Sequence, residues 1–366
     1  SMIFIDAFPV YAEGESETEI PASEECGEES DTAADTDADT AADKEEIITG
    51  YYEIPGEEDV PVLETDRDFY SLRNGLSGET EDVQLLMSAP GVSSSVSERA
   101  FPYAHDGKWL SYFQENYPAT RNQEPYGSCW AHSAMSLAEF YLIKHGMAGK
   151  NTDLSELHLA YWCYTDGEPS VAGDTGDRVI MSGSGNKLDN GGNVSTAAQS
   201  LFHQRGFAAE STAPYSDAPQ IAKGGSLDAG TEFKDVYYLK NAYAINLQNR
   251  DLVKGAILEN GAVGTAIYAF TGYYNTATNA YYGSKANSTN HAITIVGWDD
   301  DFPASDFKPC NDKLPEHDGA WLVRNSWSTT TAASYESYFW LSYEDASISN
   351  LAWTYEVTTS FPYDNH

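Results

Sequence analysis

The chain has 366 residues, more than the ~150 expected of one average domain, and its 57 Asp and Glu oppose 20 Lys and Arg, a formal net charge of −37 at pH 7. A field of that sign repels phosphate backbones and anionic lipid surfaces, which argues against a nucleic-acid-binding protein. The sequence contains no run of about 20 apolar residues, the length that a membrane-spanning helix requires. Its 8 Trp, 25 Tyr and 14 Phe supply the aromatic mass of a sizeable packed core.

The first 47 residues have the composition of a leader and a tether. Residues 1–12 resemble the end of a secretory signal peptide, although a short apolar N-terminus is the alternative. Residues 13–47 are acidic and of low complexity, and the stretch 31–43 has no aromatic residue and no apolar residue larger than Ala. Such a segment buries too little surface to offset the entropy of ordering, so we expect a flexible tether.

Metal binding has little support in the sequence. Asp35 and Glu46 are spaced like the first and last ligands of a calcium-binding loop, but Thr40 stands where that loop requires Gly. No His-Glu-x-x-His helix and no paired Cys-x-x-Cys set is present. We therefore expect neither a metal nor another cofactor.

Residues 48–100 regain apolar and aromatic side chains but are interrupted by Pro, Gly and Ser. We interpret this stretch as a segment that lies on another part of the protein rather than as a domain. The remaining residues, 101–366, are interpreted as one domain.

Four segments of that domain carry helical signals. The first follows Ser128, a residue type that caps helix starts, and meets Gly146, which favours a helix end. It is apolar on most faces, which predicts a buried central helix. The predicted helices span 129–145, 154–162, 194–205 and 251–259, with Asn193 or Ser195 capping the third and Gly206 and Gly261 behind the last two.

Four apolar runs after these helices predict strands. They span 262–269, 291–298, 320–324 and 338–343. Helices placed ahead of strands in this way predict an α+β fold with two lobes. We assign about 101–215 to a helical lobe and about 216–366 to a β lobe.

Three residues in different segments have the chemistry of a nucleophile, a base and an orienting group. Cys129 opens the first predicted helix, where the positive end of the helix dipole and unpaired backbone N–H groups favour a thiolate. His291 starts a predicted strand, and Asn325 follows another. Taken singly, each also fits a structural role, as a buried cysteine, a packing histidine and a turn asparagine.

Taken together, the three stretches resemble the papain-like cysteine peptidases. Residues 123–133, Gln-Glu-Pro-Tyr-Gly-Ser-Cys-Trp-Ala-His-Ser, resemble the family's Gln-x-x-x-Gly-Ser-Cys-Trp-Ala-Phe-Ser signature. Residues 290–292, Asn-His-Ala, resemble its histidine strand, and residues 325–327 resemble its Asn-Ser-Trp turn. The resemblance covers about residues 100–350. It implies a two-lobed α+β fold with the active-site cleft between a helical lobe and an antiparallel β lobe.

The resemblance also implies a role for each matching residue. Cys129 would attack a peptide carbonyl as a thiolate paired with the His291 imidazolium, and Asn325 would orient the imidazole. The Gln123 side chain and the backbone N–H of Cys129 would donate to the oxyanion, and Trp327 would shield the His–Asn bond from water. The residues expected to line the substrate site are Gly191, Gly192, Ala292, Trp327 and Trp130.

Several other positions match or depart from the family pattern. Residues 154–156 and 190–192 resemble its second helix and the Asn-Gly-Gly loop that pairs with bound peptide. Tyr126 and Asp189 stand where many members place two bridged cysteines, so that disulfide is absent here. His132 replaces a Phe one helical turn after the cysteine, and we expect a packed imidazole rather than a second base.

The function implied by the resemblance is that of a cysteine endopeptidase acting on protein or peptide substrates. A catalytically silent papain-like binding module and a cell-wall amidase or transglutaminase-like enzyme are the alternatives. We expect a secreted or cell-surface monomer whose residues 48–100 form a pro-segment over the cleft, removed before Phe101. Whether Cys163 and Cys310 form a disulfide is left open.

Overall fold

The computed structural model describes residues 118–165, 186–202, 206–285, 288–327 and 338–360, and the backbone of a few strands outside these ranges. The signal-like segment, the acidic tether and the calcium-like spacing lie outside the described residues. Strands β1 (Ile48–Tyr52) and β2 (Val60–Leu63) pair antiparallel and belong to a unit of their own. All elements named below belong to a second unit.

The helices of the described residues follow the prediction closely. They are α1 Cys129–Lys144, α2 Glu156–Trp162, α3 Val194–Phe202, α4 Ala218–Ile221 and α5 Arg250–Asn260. The four predicted helices are confirmed as α1, α2, α3 and α5, whereas the single turn of α4 has no counterpart in the prediction. Residues 203–205 of the third predicted helix lie outside the described residues.

The helix ends confirm most of the predicted caps. Asn193 Oδ1 accepts the backbone N–H of Thr196 at 3.0 Å and so caps α3. Gly261 ends α5 with a φ of 94°, a conformation that favours glycine. The predicted side-chain cap of α1 is wrong: Ser128 stands at the cap position, but its hydroxyl lies 2.6 Å from that of Tyr215 and caps no backbone N–H of the helix.

Most strands of this unit form a single sheet. They are β3 Val83–Ser88, β4 Lys108–Trp109, β5 Tyr164–Thr165, β6 Val179–Ile180, β7 Phe207–Ala208, β8 Asp235–Asn246, β9 Val263–Ile267, β10 Tyr274–Asn275, β11 Ala280–Tyr281, β12 His291–Asp299, β13 Ala320–Arg324, β14 Tyr338–Ser342 and β15 Leu351–Thr358. Strands β5 and β6 pair with each other, and the rest form an 11-stranded sheet. Its order is β10-β11-β14-β13-β12-β9-β15-β8-β3, with β4 on β12 and β7 on β8.

The pairing of this sheet is antiparallel throughout its described ladders except between β11 and β14. The four predicted strands are confirmed as β9, β12, β13 and β14. Helices ahead of a mainly antiparallel sheet confirm the α+β class. Strand β12 lies inside the sheet, between β9 and β13; its first residue, His291, pairs with Ile267 of β9, and the ladder with β13 begins at Thr294.

Two long strands, β8 and β15, are missing from the prediction, and they pair with each other. Polar residues interrupt the apolar pattern of both strands at buried positions. Asn241 Nδ2 donates to Glu356 Oε2 at 2.6 Å, and the two residues are direct partners across the ladder. Because the Asn241 amide donates to the Glu356 carboxylate, these strands tolerate residues that sequence patterns assign to a surface.

Helix α1 is buried along almost its whole length and packs against β12 and β15, as its apolar faces predict. No helix within the described ranges is long and apolar enough to cross a membrane. In the same part of the chain, no group of three or more His, Cys, Asp or Glu side chains is arranged to hold a metal ion. Cys163 and Cys310 form no disulfide with each other, and the Cys163 thiol points instead to the carbonyl of Thr196 at 3.8 Å.

One buried ion cluster joins α1 to β13. Glu139, in the middle of α1, is 1 % exposed and lies 2.9 Å from Arg121 and 3.4 Å from Arg324, the last residue of β13. Its carboxylate also accepts the backbone N–H of Leu154 at 3.0 Å. Burial raises the pKa of Glu139, and the two guanidinium groups act against that rise. The cluster therefore fixes the end of β13, immediately before Asn325, against the central helix.

The variant Glu139→Ala tests how much this cluster contributes to stability. It leaves Arg324 buried without its carboxylate, so the free energy of unfolding should fall by about 3–5 kcal/mol. The exposed control Glu316→Ala should change it by no more than about 0.5 kcal/mol. Urea unfolding followed by tryptophan fluorescence measures both, and equal small effects would show that the cluster contributes little.

Candidate active site

The structure places Cys129 beside the start of β12. Cys129 is the first residue of α1 and is 4 % exposed. The backbone N–H groups of Ala292, in β12, and of Trp130 and Cys129 itself stabilise the thiolate form of its sulfur. One turn along the helix, Ser133 Oγ donates to Ile293 O at 3.1 Å. Helix and strand are thus joined on the face that carries the cysteine.

His291 is held by Asn325 and Trp327. His291 Nε2 lies 2.7 Å from Asn325 Oδ1. An amide oxygen can only accept, so Nε2 carries a proton and Nδ1 is the ring nitrogen left for another partner. The Trp327 ring stacks on the imidazole with centroids 4.3 Å apart and planes 17° apart. Both the tautomer and the orientation of His291 are therefore fixed.

Burial dominates the titration of both groups. It raises the pKa of the Cys129 thiol, and the three backbone N–H groups around the sulfur oppose that rise without reversing it. This direction is opposite to the one predicted from the helix dipole, because the loss of water around the sulfur outweighs the amide dipoles. Burial likewise lowers the pKa of His291 to about 4, and the hydrogen bond to Asn325 acts against this.

Gln123 lies on the loop ahead of α1 and is tied to the Asn-Ser-Trp turn. Its backbone N–H donates to Ser326 O at 2.8 Å, and its side-chain oxygen accepts from Ser326 Oγ. Its Nε2 donates to Tyr126 O at 2.8 Å. A primary amide has two N–H groups, so this contact occupies one of them. The residue is buried and well fixed.

Trp130 lies beneath the glycine loop. Gly191 has a φ of 75° and Gly192 a φ of 157°, both outside the range of most side-chain-bearing residues. A Cβ on Gly192 would come within 2.4 Å of the Trp130 ring, which is itself buried. The loop therefore rests directly on the indole, and its conformation requires glycine.

Ala292 follows His291 and faces Ala266 across the ladder between β12 and β9. Both alanines are half-buried, whereas the residues next to them in their strands, His291, Ile293, Thr265 and Ile267, are buried. The two small side chains lie on one face of the sheet and leave space above them.

A hydrogen bond joins the two loops at the positions of the absent disulfide. Asp189 Oδ1 accepts the backbone N–H of Gly127 at 3.1 Å. Asn186 Oδ1 in turn accepts the N–H groups of Leu188 and Asp189 at 2.9 and 3.2 Å, which fixes the turn that carries the carboxylate. The connection between the cysteine loop and the glycine loop is therefore polar rather than covalent.

Sequence reasoning misses one residue of this region, Tyr215. Its hydroxyl donates to Gln123 O at 2.9 Å and contacts the hydroxyl of Ser128, and its ring packs edge to face on His132. The residue stands in a short Ala-Pro-Tyr stretch far from Cys129 in sequence, and nothing in its local pattern indicates the contact. His132 is a buried, packed imidazole, as expected, and burial lowers its pKa to about 3.

Comparisons with known proteins show similarity to cysteine proteases. The family model described as papain family cysteine protease matches residues 109–354. Fruit bromelain from Ananas comosus is 23% identical over 238 residues, which are 64% of this chain and 54% of that protein. The chain thus spans about half the length of this curated relative.

Two solved structures of a clostridial cysteine protease, Cwp84, are also similar. Cwp84 after propeptide cleavage matches with a TM-score of 0.58 and 26% identity, covering 69% of this chain and 58% of that one. The cysteine protease and lectin-like domains of Cwp84, a surface layer associated protein of Clostridium difficile, match with a TM-score of 0.57 and 26% identity, covering 71% and 54%.

The variants Asp189→Ala and Asp189→Asn test the polar connection between the loops. Asp189→Ala leaves the Gly127 N–H without this acceptor and should lower the free energy of unfolding by about 1–2 kcal/mol. Asp189→Asn keeps an oxygen at that position and should retain most of the stability. Urea unfolding gives both values, and an equal loss in the two variants would attribute the effect to charge rather than to this hydrogen bond.

Proposed function

Because the chain belongs to the papain family of cysteine proteases, we propose that it is a cysteine endopeptidase with Cys129, His291 and Asn325 as its catalytic residues. The observation that carries the proposal is the 2.7 Å hydrogen bond between Asn325 and His291, the first residue of the strand that packs against the helix beginning with Cys129. Its substrates are proteins or peptides, the class on which a cysteine protease acts.

The proposed reaction uses the thiol and the imidazole in turn. Cys129 Sγ bonds to the carbonyl carbon of the scissile peptide, and the thiol proton passes to His291 Nδ1. The C–N bond breaks as His291 returns that proton to the leaving amine, which leaves an acyl-enzyme. A water molecule, deprotonated by the same ring, then releases the acid and restores the thiol. Asn325 holds the Nε2–H throughout, so Nδ1 stays directed at the reaction.

Two donors stabilise the oxyanion in this proposal. One is the backbone N–H of Cys129, and the other is the second N–H of the Gln123 amide. Loss of one such donor typically costs about 3 kcal/mol of transition-state stabilisation. The bonds from Gln123 to Ser326 and Tyr126 support this role because they fix the amide before substrate arrives.

Substrate binds as an extended strand in this proposal. Gly191 and Gly192 offer backbone groups without side chains, so a peptide can approach closely and pair with them. The half-buried Ala292 lines the pocket for the residue next to the scissile bond. Trp327 covers the His–Asn bond, and Trp130 contributes by supporting Gly192 rather than by reaching the peptide.

The active protonation state holds one proton between the thiol and the imidazole. A neutral pair and a thiolate–imidazolium pair contain the same number of protons, so both react over the same pH range. The desolvation of each group favours the neutral pair. Approach of the peptide carbonyl and the oxyanion donors then drives proton transfer as the carbon–sulfur bond forms.

The proposal extends to processing and location. We infer a secreted or surface-associated monomer that is made with residues 48–100 as a pro-segment. Strand β3, which is part of that segment, pairs with β8 of the sheet. The similar protein Cwp84 is described after propeptide cleavage and as surface layer associated. These observations support a segment whose strand β3 pairs with the peptidase sheet and that is cut before Phe101.

The variant Cys129→Ala tests the proposed activity. Turnover of a denatured protein substrate into internal fragments should fall by more than ~10³-fold, because the nucleophile is gone. Labelling by a thiol-directed peptidyl epoxide should disappear as well. The matched control Cys310→Ala, which removes another buried thiol, should keep both properties.

The parent protein and its Cys129→Ala variant also distinguish the alternative functions. A parent that binds peptides but cleaves none would favour a silent binding module, and one that cleaves muropeptides only would favour a cell-wall amidase. The mass of the protein after incubation with reductant tests self-processing. The parent should lose the residues before Phe101, and Cys129→Ala should retain them.

The pH dependence of kcat/KM tests the assignment of the base. Below the pKa of His291, about 4, the ring takes up a second proton and no group can accept the thiol proton, so activity is lost as pH falls. Above that value activity should stay high through neutrality. Activity should then fall at alkaline pH, when the thiol and the imidazole lose the one proton that they share. A profile of initial rates from pH 3 to 10 measures this, and an acidic limb near the ordinary histidine value of 6.5 would contradict it.

A further inference from the structure

A network of buried polar side chains surrounds the first turn of α1. Its members are Ser128, His132, Tyr215 and the backbone of Gln123. None of them is needed as an acid, base or nucleophile in the proposed reaction. We propose that His132 and Tyr215 are positioning residues that hold the two oxyanion donors in place, an inference that rests on the proposed function.

The first contact of this network fixes the peptide unit that carries the Cys129 N–H. His132 Nδ1 lies 3.0 Å from Ser128 O and, because a carbonyl oxygen only accepts, it is the protonated nitrogen. The Ser128 carbonyl and the Cys129 N–H belong to one planar peptide group. The backbone N–H groups of Ala131 and His132 also donate to this carbonyl, at 3.0 and 3.1 Å. Nδ1 is therefore a third donor, which further polarises the carbonyl and strengthens the Cys129 N–H as a donor.

The second contact is with the backbone of Gln123, the residue whose side-chain amide is the other oxyanion donor. Tyr215 Oη donates to Gln123 O at 2.9 Å, and Ser128 Oγ lies 2.6 Å from the same hydroxyl. A phenol has one proton, so Ser128 is the donor in the second bond. One hydroxyl therefore links the residue before Cys129 to Gln123. The Tyr215 ring also packs against His132, with centroids 4.9 Å apart and planes 82° apart.

His132 carries a cost that a purely structural residue would avoid. Its Nε2 is buried and finds no hydrogen-bond partner among the described residues. An unfilled buried acceptor is unfavourable, and the Phe of the family signature would fill the same position without it. Unlike Phe, the imidazole provides a hydrogen bond to the Ser128 carbonyl.

A role as a second base does not fit these contacts. Nδ1 is committed to the Ser128 carbonyl, and the ring is 3 % exposed. Burial also lowers the pKa of His132 to about 3, so the ring stays neutral over the working range of the enzyme. Its influence on the reaction therefore passes through the peptide group that it contacts.

The variants His132→Phe and His132→Asn separate the hydrogen bond from the packing. Phe fills the site but donates nothing, so kcat for an amide substrate should fall about tenfold, the scale of a small misplacement of reacting groups, with KM unchanged. Asn places an N–H near the position of Nδ1 and should recover most of that loss. The Tyr215→Phe variant should lower kcat in the same way, whereas the control Tyr343→Phe, which loses a hydroxyl bond to Asp300, should not.

Two further measurements distinguish positioning of the oxyanion donors from damage to the nucleophile. Inhibition by a peptide aldehyde, whose adduct places an oxygen at the oxyanion site, should weaken by the same factor as kcat in His132→Phe and Tyr215→Phe. Alkylation of Cys129 by iodoacetamide forms no oxyanion, so its rate should stay within about twofold of the parent.

The outcomes are distinct. A parent that hydrolyses no peptide overturns the proposed function and this inference with it. An active parent whose His132→Phe and Tyr215→Phe variants keep kcat and aldehyde affinity overturns this inference alone. A rate of Cys129 alkylation that falls together with the rate of hydrolysis also overturns this inference, because the variants then act on the thiol or on folding. His132→Phe and Tyr215→Phe are separate proteins, so if one of them fails to fold the other still decides.

Discussion

The contact between the first turn of α1 and the first residues of β12 is the constraint on which the rest of the site depends. Cys129 and Ser133 lie four residues apart and therefore on one face of the helix. The sulfur meets the N–H of Ala292, and Ser133 Oγ donates to Ile293 O. Because β12 is paired on both sides, this strand cannot move without breaking a ladder. The position of Cys129 relative to the start of β12 thus follows from helix-on-sheet packing.

The same packing sets the electrostatics of the site. Removing water from Cys129 and His291 favours their neutral forms, and the amide groups around the sulfur only moderate this. A dry site makes each remaining hydrogen bond stronger and each misplaced one more costly. This is consistent with the many polar contacts around Cys129, His291 and Asn325. The ion pair between Glu139 and Arg324 fixes the end of the strand that presents Asn325, and so belongs to the same framework.

Sequence reasoning succeeds where a local pattern and the fold agree. The apolar faces of α1 and the unbroken apolar runs of β12 and β13 define these elements almost to the residue. It fails where long-range pairing decides. The hydrogen bond between Asn241 and Glu356 places polar residues inside the sheet, and the sequence around either residue does not indicate it. The prediction that the pKa of the Cys129 thiol is lowered fails for a similar reason. The helix start is visible in the sequence, but the burial of the sulfur is not.

The loop before Cys129 shows the same limit and its consequence. The sequence reveals that the cysteine staple of many relatives is missing, but the bond from Asp189 to Gly127 that joins the same loops is visible only in three dimensions. Together with the contacts of Ser128 to His132 and Tyr215, it holds the loop before Cys129 by hydrogen bonds in place of that disulfide. A thiol nucleophile needs reducing conditions to stay active, and such conditions threaten a nearby disulfide. A loop fixed by polar contacts keeps its geometry under those conditions, so the reactivity of the thiol and the rigidity of its support no longer compete.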